Sequence, residues 1–266
     1  FDVENRLASI KVESVTTTFA YDADGNRVLA TYNPGASATK VYTPFPDYEV
    51  TDPPTGANVT RTTYRLGGQI AALRVNDGAT NKLYYPLTDH LGNVMALSDV
   101  AGNFVSGSDA RYDPFGVFTT TPTTNPSISN HGFTGHRHNN TGANNLGLIY
   151  MNARYYLPEV GRFISADTIV PEPGNPQSYN RYTYTLNNPV NFTDPTGHLT
   201  EEEILEFFGF ANPAEAESAG WQQELIELIW YKDFTWGMVF RFNRVSDNYT
   251  AYAMLVLFEA GDPSAT

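Results

Sequence analysis

Turn signals recur along the first half of the chain at a spacing of roughly ten residues, which leaves room for little except serial antiparallel hairpins. The stretch TTTFAYDADGNRVLATYNPG alternates apolar and polar residues on both sides of Asp24-Gly25, a dipeptide suited to a tight hairpin connection. Further turns are expected at Gly67-Gly68, Asp77-Gly78, Leu91-Gly92-Asn93 and Ala101-Gly102-Asn103. FDVENRLASI and YDADGNRVLA share the order aromatic, Asp, Asn, Arg, aliphatic, a degenerate repeat of about 20 residues. Such a repeat implies a solenoid-like sheet in which each hairpin buries its face by stacking on its neighbours.

Composition agrees with a β-rich chain. Aromatic residues make up 14% of it, with 17 Tyr and 16 Phe, while charged residues make up only 17%. A net charge of −13 argues against a nucleic-acid-binding surface. The absence of Cys removes disulfides, thiol catalysis and thiolate metal sites. No apolar run approaches the roughly 18 residues of a membrane-spanning helix, so no membrane span is expected. The sequence opens mid-pattern at Phe1-Asp2, without Met or a signal-peptide pattern, and is expected to be a piece of a longer polypeptide.

The character changes after Gly197. Residues 199–266 carry 12 acids against 3 bases, a net of −9, whereas residues 1–198 carry 17 against 13, a net of −4. Thr200 and Glu203 have capping-box spacing, and helices are expected near 200–208 and 213–232, packed through Leu205, Phe207, Phe208, Trp221, Leu225, Ile229 and Trp230. Aromatic strands or a hydrophobic helix follow in FTWGMVFRFNRVSDNYTAYAMLVLFEAG. This tail has no His and a single Lys, and its acids spread along helical faces, so no activity can be assigned to it.

Two aspartates, Asp167 and Asp194, bracket the Asn-, Tyr- and Pro-rich stretch that ends the first part. Paired carboxylates can hydrolyse a peptide, one taking a proton from water while the other, still protonated, supplies one to the leaving nitrogen. The competing reading of Asp194-Pro195-Thr196-Gly197 is a type I turn with Asp first, Pro second and Gly fourth. Asp113-Pro114-Phe115-Gly116 has the same chemistry and is read as structural. Asp22, Asp24 and Gly25 suggest a calcium loop only superficially, because the later ligands and the closing Glu are absent, and a hairpin turn is expected. His131, His136 and His138 lack a nearby acidic partner and are read as a polar loop rather than a metal site. Arg154 and Arg162 flank Tyr155-Tyr156; either can support a carboxylate or stack on an aromatic ring.

The motifs YYPLTDHLGNVMALSDVAGN, ARYDPFG, GFTGHRH, YMNARYYLPEVGRFISAD and NRYTYTLNNPVNFTDPTGH, in this order, resemble the Rhs (YD-repeat) proteins over about residues 1–198. The resemblance implies a spiralling antiparallel β-hairpin sheet that forms part of a hollow shell around a C-terminal toxin. It divides the chain into YD-repeat hairpins at 1–83, an Rhs-associated core at 84–198, and a variable, acidic, partly helical region at 199–266. It also implies an intramolecular aspartic protease, with Asp167 and Asp194 as catalytic carboxylates and a cut at His198–Leu199; the residues themselves leave Arg154 and Arg162 open as supports for that pair or as partners of the neighbouring aromatic rings. Two positions depart from the family pattern: Thr168 follows Asp167 where Pro is usual, and His198 stands where Leu is usual. Expected partners are the upstream shell of the same polypeptide and its own C-terminal passenger. No cofactor or metal is expected, and the localisation is secreted or cell surface. The alternative is a secreted structural or adhesive surface protein that never cleaves and contacts a glycan or protein.

Overall fold

The computed structural model describes residues 1–66, 69–125, 127–139, 145–167 and 176–198, Glu215, and the strands Val239–Arg244 and Tyr249–Met254. Nine strands form one sheet in chain order: β1 (Ser9–Val12), β2 (Val15–Tyr21), β3 (Arg27–Tyr32), β4 (Thr39–Phe45), β5 (Tyr48–Asp52), β6 (Val59–Leu66), β7 (Gln69–Asn76), β8 (Asn81–Thr88) and β9 (Val94–Asp99). Each strand pairs antiparallel with its sequence neighbours, as the turn spacing predicts.

The turns follow one recipe. In Asp2–Arg6, Asp22–Asn26, Asp89–Asn93, Asp99–Asn103 and Asp113–Val117, the Asp Oδ1 accepts the backbone N–H two residues on and again four residues on, at 2.8–3.1 Å. The fourth residue has positive φ: Asn5, Gly25, Gly92, Gly102 and Gly116. The Asp therefore satisfies donors that a tight reversal would orphan, and Gly or Asn accepts the left-handed backbone. In three of the turns the closing Asn (Asn26, Asn93 or Asn103) also reaches back to the second carboxylate oxygen. By this geometry Asn5 corresponds to Gly25, so the repeat aligns one residue away from the match of Asn with Asn26. Asp22 and Asp113 act as turn residues, as expected from the sequence.

The single sheet expected to run through residue 198 stops at β9. Beyond it lie the pair β10 (Arg111–Tyr112) and β11 (Phe118–Thr120), then a four-stranded sheet of β12 (Arg137–Asn139), β13 (Leu148–Met151), β14 (Arg154–Leu157) and β15 (Arg162–Phe163). Pro and Gly interrupt this region so often that only two to four residues at a time can extend. Its motifs are therefore mostly ordered loop. Among the described residues up to 198, helical structure is confined to short 3-10 turns. A separate hairpin, β16 (Val239–Arg244) with β17 (Tyr249–Met254), resolves the strand-or-helix question for that part of the tail in favour of strands. The helices expected near 200–208 and 213–232 lie outside the described residues.

The chain divides into two compact units, Phe1–Ser165 and Ala166–Thr266. In the first, one core joins Leu7, Phe19, Ala30 and Tyr32 of the early hairpins to Leu146, just before β13, and to Leu148, Tyr150 and Tyr155 of the four-stranded sheet. A second core gathers Ile70 and Leu73 of β7 with Val94 and Leu97 of β9, at the far end of the large sheet. Two buried polar centres accompany them. Arg27 donates to the hydroxyl of Tyr155 and to Asn139, while its backbone N–H donates to the hydroxyl of Tyr150. Burial works against its charge, but the surrounding phenols of Tyr155, Tyr32 and Tyr150 more than offset that and keep it firmly protonated. Glu49 accepts from Arg61 at 3.1 Å and from Asn130 at 2.6 Å, with Arg137 at 3.8 Å. With both partners buried, these ions hold one another in place, since removing either would strand a charge.

Candidate functional site

Asp167 follows β15, and its main chain is tied to the Asn- and Tyr-rich segment after residue 176. Its N–H donates to the Arg181 carbonyl at 2.8 Å, and Arg181 Nε donates back to the Asp167 carbonyl oxygen. This reciprocal pairing fixes the backbone from which the carboxylate projects. Its Oδ1 lies 2.8 Å from Nδ1 of His198, with the Asp167 side chain 6% exposed and that of His198 31% exposed.

Asp194 is buried at a bend of the chain, where its side chain takes the Gly197 N–H that a type I turn would give to its carbonyl. Its Oδ1 accepts the Gly197 N–H at 2.8 Å, and Thr196 Oγ1 donates to the same oxygen at 3.4 Å. Gly197 has a φ of 79°, which Gly adopts without steric cost. Thr196 Oγ1 also accepts the N–H of His198 at 3.0 Å. A continuous run of hydrogen bonds thus leads from Asp167 through the His198 side chain and backbone to Thr196 and Asp194. It holds His198 by both its imidazole and its main chain.

Arg154 and Arg162 lie in the first unit, on β14 and β15. The buried Arg154 guanidinium sits 3.6 Å over the Phe163 ring, the stacking geometry that the sequence left open beside carboxylate support. Leu199, the residue beyond the expected cut, lies outside the described residues. Neither Thr196 nor Arg181 could be picked out from the sequence. Thr196 occupies a free position of the Asp-Pro-x-Gly turn, and a 14-residue separation hides the pairing of Arg181 with Asp167.

The histidines are not the solvated loop that their neighbours suggest. His131, His136 and His138 are all buried. His138 Nε2 accepts the Phe133 N–H at 2.6 Å, and its ring lies against Phe118 and Tyr112. His131 bridges the Gly135 carbonyl and Thr63, and His136 meets the Thr134 hydroxyl. Each replaces a backbone or hydroxyl partner that this irregular segment needs once buried. Among the described residues no cluster of His, Asp or Glu is arranged to hold a metal, and no helix is long and apolar enough to cross a membrane.

Comparison with known proteins gives a consistent result. A family model described as Teneurin YD-shell matches residues 50–190. The tRNA3(Ser)-specific nuclease WapA of Bacillus spizizenii is 30% identical over 210 residues, covering 74% of this chain and 8% of that protein. The toxin protein Tse5 of Pseudomonas aeruginosa is 33% identical over 123 residues, 46% of this chain and 8% of its own length. The crystal structure of TcdB2-TccC3-Cdc42 superimposes with a TM-score of 0.59 at 22% identity, covering 74% of this chain and 10% of that one, and shares the fold. The chain spans 8% of the length of the curated relatives it matches.

Proposed function

The chain belongs to the teneurin YD-shell family of Rhs/YD-repeat proteins, and from that premise we propose that it is the closing segment of a shell enclosing the polypeptide that follows it. The observation that carries this reading is the nine-stranded sheet, in which strands pair in chain order. A sheet of this kind can be lengthened at β1 by any number of earlier hairpins, as a shell wall requires. The toxin names of its relatives support a toxin-like passenger, and a secreted or cell-surface location accords with them. The division into repeat, core and variable tail at residues 83/84 and 198/199 belongs to the same reading.

Asp167 and Asp194 are assigned to self-cleavage near His198–Leu199. One carboxylate takes a proton from water as its oxygen attacks the carbonyl carbon of residue 198. The other gives its proton to the nitrogen of residue 199 as the C–N bond breaks, leaving a new carboxyl group and a new amine. Burial of both carboxylates next to the residue at the cut favours this assignment over two unrelated turns. The shell reading is tested on the complete parent polypeptide by limited proteolysis. Residues after 198 should resist cleavage while the sheet is folded and become sensitive once denaturant opens it. Digestion of the passenger at equal rates in both states would refute enclosure.

A further inference from the structure

We propose that His198 restrains the cut, holding Asp167 in a hydrogen-bonded pair so that the bond after residue 198 persists and the passenger stays tethered to the shell. This rests on the self-cleavage reading above and adds a control element to it. The imidazole Nδ1 lies 2.8 Å from Asp167 Oδ1, within range of a charge-assisted bond. A donor at that distance occupies Asp167 Oδ1, one of the two oxygens that could meet water or the peptide. Water or the peptide must displace the imidazole to reach Asp167 Oδ1. Whichever role it has in the pair, the contact works against it.

The contact is also built to last. His198 N–H is held by Thr196 Oγ1 at 3.0 Å, and the Thr196 hydroxyl is held in turn by Asp194 Oδ1 at 3.4 Å. Arg181, through the Asp167 carbonyl, keeps the acidic residue in register. Two anchors therefore fix the imidazole, one from its own main chain and one from the carboxylate it occupies. An aliphatic side chain at 198 would make the main-chain anchor and leave Asp167 Oδ1 without this donor. Restraint is then specific to a side chain that can donate.

The test follows the complete 266-residue chain by denaturing gel and intact mass over time. Four proteins are compared: wild type, His198→Leu, His198→Gln, and His198→Leu with Asp194→Asn. The expected result is a wild type that stays whole while His198→Leu releases a product ending at residue 198 at least about tenfold faster, the scale of one charge-assisted hydrogen bond. His198→Gln should stay slow, because its amide can still donate to Asp167, and the double variant should not cut. As an independent readout, Asp167→Asn should shift the His198 imidazole nitrogen resonances of labelled protein.

Wild type that cuts as fast as His198→Leu, with the double variant uncut, would overturn the restraint and leave the protease reading standing. A folded His198→Leu protein that never cuts would overturn both. A product ending at Asp194 in every protein that keeps this residue, with none ending at 198, would be acid hydrolysis of the Asp194-Pro195 bond and would likewise overturn the restraint. His198 resonances indifferent to Asp167→Asn would remove the contact on which it depends.

Discussion

Gly116 shows how a single position can carry two constraints at once. Its φ is 91°, and a Cβ placed there would meet the Phe133 ring at 2.8 Å. Phe133 cannot withdraw easily, being 1% exposed and packed against Tyr112 and Tyr156. Gly102 occupies the same place in its own turn, with a φ of 81°, but a Cβ there meets nothing within 4 Å. Comparing the two separates backbone strain from collision. Gly102→Ala should cost about 1 kcal/mol, the backbone term alone. Gly116→Ala should cost about 2–4 kcal/mol, because overpacking adds to it. Urea unfolding of the two variants measures the difference; equal losses would show that Phe133 yields freely.

At the scale of elements, the recurring device is the five-residue aspartate turn, and its chemistry predicts an acid response. In the turn after β9, Asp99 is held below its ordinary value of 3.8, first by the Asn103 backbone N–H and then by the Asn103 side chain. A carboxyl group whose folded pKa is depressed adds stability that is present above the unfolded value and is lost as the pH falls through the folded one. Asp99→Asn keeps an acceptor oxygen but removes the titration. The wild type should therefore be the more stable above 3.8, with the gap in melting temperature narrowing on acidification below it. A gap independent of pH would assign the turn to backbone geometry alone. These turns were legible because Asp and Gly stand at positions that tertiary context hardly alters. The break after β9 was less so. Motifs such as GFTGHRH give no period from which to read strand or loop, and the burial of His131, His136 and His138 is decided by residues far away in sequence. The site behaved likewise: the Asp-Pro-x-Gly motif marked a bend at Asp194, whereas the 31-position separation of Asp167 and His198 concealed their contact.

Over the first unit as a whole, strands paired in chain order need not behave as an open array, in which distant hairpins unfold independently. Here the early and late parts share a core, and Arg27 is one polar link between them, beside the Asn139 amide that donates to the Tyr32 hydroxyl. The Arg27 backbone N–H reaches the Tyr150 hydroxyl at 2.9 Å, and its guanidinium reaches Tyr155 at 2.8 Å while lying 4.3 Å over the Tyr150 ring. The residues so joined are more than 120 positions apart. Replacing Arg27 with Met keeps much of the volume, removes the charge and leaves the Tyr155 hydroxyl without this buried donor, a loss of about 1–3 kcal/mol. That penalty should appear at both ends of the link. In hydrogen exchange, β2–β3 and β13–β14 should lose protection together, while β7 and β9, which carry the separate core of Ile70, Leu73, Val94 and Leu97, keep theirs. Loss confined to β2–β3 would mean that the four-stranded sheet stands without its partner hairpins. In that case the unit would behave as the open array its strand order suggests, with Arg27 a local residue of the second hairpin.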